Sequence, residues 1–217
     1  MKKLSKKYKK VFNTMLDITF KHGLSHLSSC LTTFPILFDI YKKKGKNDVV
    51  ILSNGHAGLA QYVCMEAFEG CNAEKLLETH GIHPTKDDKI FCSTGSLGLG
   101  LPIAIGAALA NTERTVHCII SDGECCEGSI WESLYFLTKM KVDNLKIYVN
   151  ANGISAYSFV NVTNLKKIIS SFKLKNIKFV DTSNILKDHP SLGALGVESH
   201  YVKITDEQQL NGFKYEV

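Results

Sequence analysis

Apolar positions recur at helical spacing in some stretches of the chain and form short unbroken runs in others. Residues 8–21 interrupt their apolar positions with Asn13, Asp17 and Lys21, an amphipathic pattern that predicts a helix. Residues 31–43 place Leu31, Phe34, Leu37, Phe38 and Tyr41 along one face and predict a second. Further helices are expected over 57–68, 128–140 and 164–172. The runs DVVILS (48–53), TVHCII (115–120), LKIYVN (145–150) and NIKFVD (176–181) read as strands. Between them, STGSLGLGLPIAIGAALA (93–110) joins a glycine-rich turn to a helix of small residues. Residues 70–89 are polar and irregular, with His80, Gly81, His83 and Pro84, and predict a loop. Beyond Ser183 the pattern is weak, and no internal repeat is present. The alternation predicts an α/β fold with a mostly parallel central sheet and helices on both faces.

In such a sheet, ligands bind outside the carboxyl ends of the strands, at a switch point in strand order. Asp122 directly follows TVHCII, and Asn150 and Asn152 close the strand LKIYVN. If those strands are neighbours, a carboxylate, an amide oxygen and a backbone carbonyl meet at one edge. That set suits a hard cation such as Mg²⁺ or Ca²⁺, with phosphate oxygens completing the shell. Gly123 lets the main chain approach an anion, and the helix expected from about residue 128 turns its positive end to the same place. The residues alone therefore point to a metal-bridged diphosphate site. An isolated Asp-Gly after a strand would read as a simple turn; its pairing with Asn-x-Asn-Gly after the next strand is more specific.

Composition narrows the setting. The 217 residues fit one large domain, read as a lysine-rich tail over 1–10 and a single domain over 11–217. The formal charge of +5 is concentrated in MKKLSKKYKK, so the body is close to neutral. That distribution speaks for a solvated helix start and against a nucleic-acid partner, which calls for a basic face within the fold. No apolar run approaches the roughly 20 residues that span a bilayer, so no membrane association and a cytoplasmic location are expected. The seven cysteines are scattered, with Cys64, Cys92 and Cys118 in apolar segments and Cys125 beside Cys126, and they read as thiols rather than as a disulfide or metal framework.

The stretch SDGECCEGSIWESLYFLTKMKVDNLKIYVNANG (121–153) resembles the thiamine diphosphate motif, Gly-Asp-Gly followed about thirty residues later by Asn, with Ser121 in place of the first glycine. LSNGHAG (52–58), STGSLGLG (93–100), GLSHLSSCLTTFPILFDIY (23–41) and, more weakly, SHYVKITDEQQL (199–210) resemble successive blocks of transketolases. On these blocks the chain is identified as a member of the transketolase family, similar to the N-terminal subunit of a split enzyme.

The resemblance implies that Asp122, Asn152 and the carbonyl of Ile154 hold Mg²⁺ (or Ca²⁺ or Mn²⁺). It implies that Gly123 and Glu124 lie at the diphosphate of thiamine diphosphate, and that Gly95, Ser96 and Leu97 lie along its aminopyrimidine ring. His26, His56, His83 and His200 would surround the reactive carbon, moving protons and bonding substrate oxygens. His80 is the alternative to His83. Glu127 would join two copies of the site, or is simply an acid at a helix start. His22, His117 and His189 carry no such role. The resemblance further implies a C-terminal transketolase-like partner subunit that supplies the pyrimidine-binding domain and an activating glutamate, assembled as α2β2. The reaction would move a two-carbon ketol unit between sugars or sugar phosphates. The alternatives are a 2-oxoacid-decarboxylating or deoxyxylulose-phosphate-synthase-like subunit, or a non-catalytic assembly subunit that keeps the fold.

Overall fold

The computed structural model describes residues 4–156, 158–187 and 196–216. His189 lies outside the described residues. Four strands, β1 (Val49–Leu52), β2 (Val116–Ser121), β3 (Leu145–Ala151) and β4 (Ile177–Asp181), form a parallel sheet in the order β1-β2-β3-β4. The register pairs Leu52 with Ile119, Ser121 with Asn150, and Ala151 with Asp181. All four carboxyl ends therefore lie at one edge. The expected reversal of strand order is absent among the described strands. The change falls instead in the helical layers, between β1 and β2.

Alternation along the strands builds two cores, one on each face of the sheet. Val50, Leu52 and Ile119 face α1 (Lys6–Lys21), α2 (Leu27–Lys43), α3 (Gly58–Glu69) and α4 (Ala73–His80). Ile51, Cys118, Ile120, Ile147 and Val149 face α5 (Gly100–Ala110), α6 (Gly128–Leu137) and α7 (Val162–Ser171). The α/β class with helices on both faces is thus what the chain adopts.

Local chemistry explains the boundaries. Ser5 caps α1, its hydroxyl accepting the Tyr8 amide at 3.2 Å. Helix α1 takes in Lys6, Lys7, Lys9 and Lys10, and Tyr8 packs edge-on against Phe34 and Phe38 at 5.0 and 4.9 Å. The segment 70–89, expected to be a loop, contains α4. Asn72 caps it by accepting the Lys75 amide at 2.8 Å, and Gly81 follows its end with φ +70°. Only two turns long, α4 buries Leu76 and Leu77 against α3, too short an apolar stripe to stand out from its polar neighbours. All seven cysteines are free thiols, five of them buried. Among the described residues no helix is long and apolar enough to cross a membrane.

Candidate functional site

At the carboxyl edge of the sheet, β2 ends in Ser121 and turns sharply at Asp122. The Asp122 amide donates to the Asn150 carbonyl at 2.9 Å, tying the turn to β3. Its carboxylate accepts two backbone N–H groups, from Gly123 at 3.1 Å and from Gly153 at 2.7 Å. The side chain is only 1% exposed, and no basic side chain pairs with it among the described residues. Burial pushes its carboxyl up to about 7, against the pull of the backbone N–H bonds. Gly123 sits where a Cβ would come within 3.3 Å of the Ser155 backbone.

The two asparagines of β3 divide their work. Asn152 accepts the Ile154 amide at 2.8 Å and donates to the Thr32 hydroxyl at 3.3 Å. Asn150 donates to Thr32 at 3.2 Å and Thr33 at 3.0 Å, and accepts from Thr182 at 2.6 Å, so it knits α2 to the ends of β3 and β4. The Thr32–Thr33 pair, which receives these bonds, is invisible in a sequence read by motif. Asn54, after β1, donates to Thr33 at 3.1 Å and leaves its buried carbonyl oxygen without a partner.

Above this floor lies a cavity of about 200 Å³. Its walls hold His26, His56, His83 and His200 together with Gly95, Leu97, Gly123, Asn152 and Ile154. The ring centroids of His26 and His56 are 5.2 Å apart, and His200 lies 6.2 Å from His26 and 6.3 Å from His56. His26 adopts a left-handed backbone, φ 65°, just before α2. That costly conformation is held by its N–H, which donates to the His200 carbonyl at 2.7 Å, and by a 2.8 Å bond between Ser25 Oγ and its Nδ1. Ser29 lies 3.2 Å from His200 Nδ1.

Burial lowers the pKa of His26, His56 and His200, and at His56, nearest the centre, burial and the neighbouring imidazoles bring it to about 3. The cluster is therefore neutral near pH 7, with each ring able to donate from one nitrogen and accept at the other. Among the described residues, no Lys, Arg, Asp or Glu lines the cavity. A polar, uncharged wall of this kind is suited to hydroxyl and carbonyl oxygens.

Other positions fall elsewhere. His83 is on the wall, with its ring against Gly95, where a Cβ would come within 2.9 Å. His80 bonds Thr85 and, at 3.2 Å, Asp87, outside the cavity. Ser96 is exposed and off the wall. Asp122 lies beneath the wall, between Ser121 and Gly123, which do line it. Glu124 is fully buried, with its carboxylate turned to backbone and serine donors rather than to the cavity. Glu127 stands just before α6 with no side-chain cap bond. His22 meets Glu74 at 3.2 Å, and His117 is buried in β2 with Tyr148 OH 3.2 Å away. Tyr201, which the motifs did not single out, closes one side of the cavity against His26 at 5.9 Å.

Residues 69–157 match the family model described as the C-terminal TPP-binding domain of thiamine pyrophosphate enzymes. The chain is 31% identical over 160 residues to one of the subunits of the apulose-4-phosphate transketolase of Phocaeicola vulgatus, covering 64% of this chain and 57% of that protein. It is 32% identical over 155 residues to 6-deoxy-6-sulfo-D-fructose transketolase subunit SqwG of Clostridium sp., covering 61% of this chain and 56% of that protein. The matched segments thus span under three fifths of these relatives' length. Its fold superposes on a transketolase of Pichia stipitis with a TM-score of 0.65 at 19% identity, over 88% of this chain and 35% of that one. With the ordered sequence blocks gathered at one edge of a transketolase-like sheet, the chain is similar to transketolases and to subunits of split transketolases in sequence, and to transketolases in fold.

Proposed function

We propose that this chain is the N-terminal, diphosphate-binding subunit of a thiamine diphosphate-dependent transketolase-like enzyme. The observation that carries the reading is a cavity that joins four histidines to the Asp122–Asn152 edge of the sheet. Residues 11–217 act as one domain, supported by two cores that share one sheet.

The Asp122 edge fits a divalent cation. A carboxylate 1% exposed with no basic partner is costly to keep charged, and a metal ion removes that cost. Asp122, the Asn152 amide oxygen and the Ile154 carbonyl are hard oxygen donors, the set that Mg²⁺, Ca²⁺ or Mn²⁺ prefers. Gly123 keeps the neighbouring wall free of a side chain, which leaves room for phosphate oxygens.

Thiamine diphosphate, when bound, supplies the carbanion chemistry. The chain orients it and handles protons. Gly95 and Leu97 offer a wall for a flat ring. His26, His56, His83 and His200 donate to and accept from substrate oxygens. Imidazole nitrogens placed on the wall can exchange protons with substrate hydroxyls. The described wall residues present polar or apolar, uncharged side chains and backbone, a lining that favours a polyhydroxylated ketose over a 2-oxoacid.

The second half of the site comes, on this reading, from a C-terminal partner subunit with a pyrimidine-binding domain and an activating glutamate. Leu99, Ile103, Leu109 and Tyr135, on and beside α5 and α6, are 47, 37, 44 and 62% exposed, apolar side chains that burial against another subunit would cover. An α2β2 assembly in the cytoplasm agrees with those side chains and with free thiols. The test is to assay ketol transfer with thiamine diphosphate, Mg²⁺ and several ketose donors, using this chain alone and together with a C-terminal transketolase-like subunit. Turnover is expected only in the mixture. No turnover with any ketose, but release of CO₂ from a 2-oxoacid, would overturn the ketol-transfer reading.

A further inference from the structure

Glu124 is fully buried, yet its carboxylate reaches three separate segments. Oε1 accepts the Ser53 hydroxyl at 2.5 Å and the Gly98 amide at 2.9 Å. Oε2 accepts the Ser121 amide at 2.8 Å and the Ser121 hydroxyl at 3.3 Å. The Ser121 oxygen in turn accepts the Glu124 amide at 3.2 Å. Ser53, at the end of β1, also accepts the Gly100 amide at 3.1 Å.

The segment that gains most from these bonds is 94–99, the glycine-rich loop. It belongs to no strand or helix, so no ladder fixes its backbone. Its start is held by the Thr94 amide, which donates to the Pro84 carbonyl at 2.9 Å. Its end is held at Gly98, whose N–H goes to Glu124 and whose carbonyl accepts the Ser129 hydroxyl at 3.0 Å. Gly98 has φ +81°, and a Cβ there would come within 2.7 Å of Glu127 Cβ. Between the two anchors lie Gly95 and Leu97, which line the cavity.

We propose that Glu124 is a positioning residue: its carboxylate fixes the glycine-rich loop so that Gly95 and Leu97 form the cavity wall, and it does not itself touch a ligand. Ser121, where the family motif has glycine, is part of the same brace. A carboxylate is the side chain that offers two acceptor oxygens and no donor. An amide in its place turns an NH₂ group toward either Ser121 N–H or the Gly98 N–H and Ser53 pair, leaving buried donors facing each other. The consequence for cofactor binding rests on the function proposed above; the effect on the loop does not.

The experiment compares hydrogen exchange of the cofactor-free chain with calorimetry of thiamine diphosphate and Mg²⁺ on the complete two-subunit enzyme. In Glu124→Gln, the amides of residues 95–99 should exchange about tenfold or more faster, the effect of losing one or two net hydrogen bonds. Amides in α3 and β3 should be unchanged, and cofactor affinity should fall by a similar factor. Ser121→Gly, which loses only the hydroxyl, should give a smaller change in both readouts. If Glu124→Gln does not fold, Ser53→Ala removes one donor and should loosen the same loop. Unchanged loop exchange in the folded variants, acceleration spread over α3 and β3, or a loosened loop with wild-type cofactor affinity would each overturn the proposal. A wild-type enzyme that binds no cofactor would overturn the functional reading instead, and the exchange data would still judge the brace.

Discussion

The Asp122 carboxylate accepts the Gly153 amide at 2.7 Å, joining the turn after β2 to the turn after β3. This bond closes the carboxyl edge of two paired strands and sets the Asp122 and Asn152 side chains on the same floor. The same carboxylate is buried without a basic partner, so it serves two ends: backbone geometry and, as proposed, charge for a cation. Asp122→Asn keeps an oxygen for Gly153 but removes the charge. We expect the variant to fold and to lose at least about 100-fold in Mg²⁺-dependent thiamine diphosphate affinity, since even outer groups around a metal are worth roughly 10–100-fold. Calorimetry on the complete enzyme measures it; wild-type affinity would remove Asp122 from the cation site.

His56 lies at the centre of the histidine cluster, 5.2 Å from His26 and 6.3 Å from His200 between ring centroids. In the complete enzyme, His56→Ala is expected to lower turnover by about 10²–10⁴-fold, the range for a placed proton-transfer group. Cofactor affinity should change little, because the cation ligands proposed above do not include His56. Unchanged turnover would return His56 to a packing role.

The same residue makes the fold sensitive to acid. Burial and the neighbouring imidazoles lower the folded-state pKa of His56 to about 3. Between that value and the ordinary histidine value of about 6.5, the unfolded chain binds more protons than the folded one. Stability therefore rises with pH through this window and is lost as pH falls below about 6.5. His26 and His200 are lowered as well and act in the same direction. His56→Gln should flatten the dependence: urea midpoints of the variant should fall less between pH 7 and 5 than those of the wild type. Parallel curves would show that His56 does not remain neutral in the folded chain.

Much of this site is legible from side-chain type and spacing. Asp122 and Asn152 each follow an apolar run of strand length, so a parallel sheet brings them together once β2 and β3 are neighbours. The histidines are less accessible to that reasoning, because they come from four separate connections. Only the resemblance to known blocks singled out His26, His56, His83 and His200, and only the fold separates His83 from His80. The supporting groups left no local signal. Thr32 and Thr33 sit inside an apolar helix, where a hydroxyl usually bonds its own backbone, and their role depends on β3 lying below them. The resemblance sets Glu124 at the diphosphate; that its carboxylate turns instead to Ser53, Gly98 and Ser121 follows from the glycine-rich loop folding back over the ends of β1 and β2. Helix α4 leaves a weak signal, because Asn72 and Gly81 read as loop residues when no long apolar stripe lies between them.

Asn150 and Asn152 stand two residues apart on β3 and should respond in opposite ways to substitution. Both are buried, at 1% and 7% exposure, and both donate to Thr32. Asn150 also bonds Thr33 and accepts from Thr182, so all its polar atoms are used within the fold. Asn150→Ala would leave the Thr182 hydroxyl, and part of the Thr32–Thr33 pair, without partners where the Asn150 side chain is 1% exposed. Each buried group left unpaired costs about 1–3 kcal/mol. The loss should appear as a lower thermal midpoint and a lower urea midpoint, with an unchanged urea slope. Asn152→Ala breaks a bond to the Ile154 amide at the cavity edge, where water can replace it. Its midpoint should stay closer to the wild type, while Mg²⁺-dependent cofactor affinity falls. Equal loss of stability in both variants, with equal cofactor affinity, would mean that Asn152 is a second structural clamp rather than a group reserved for the cation.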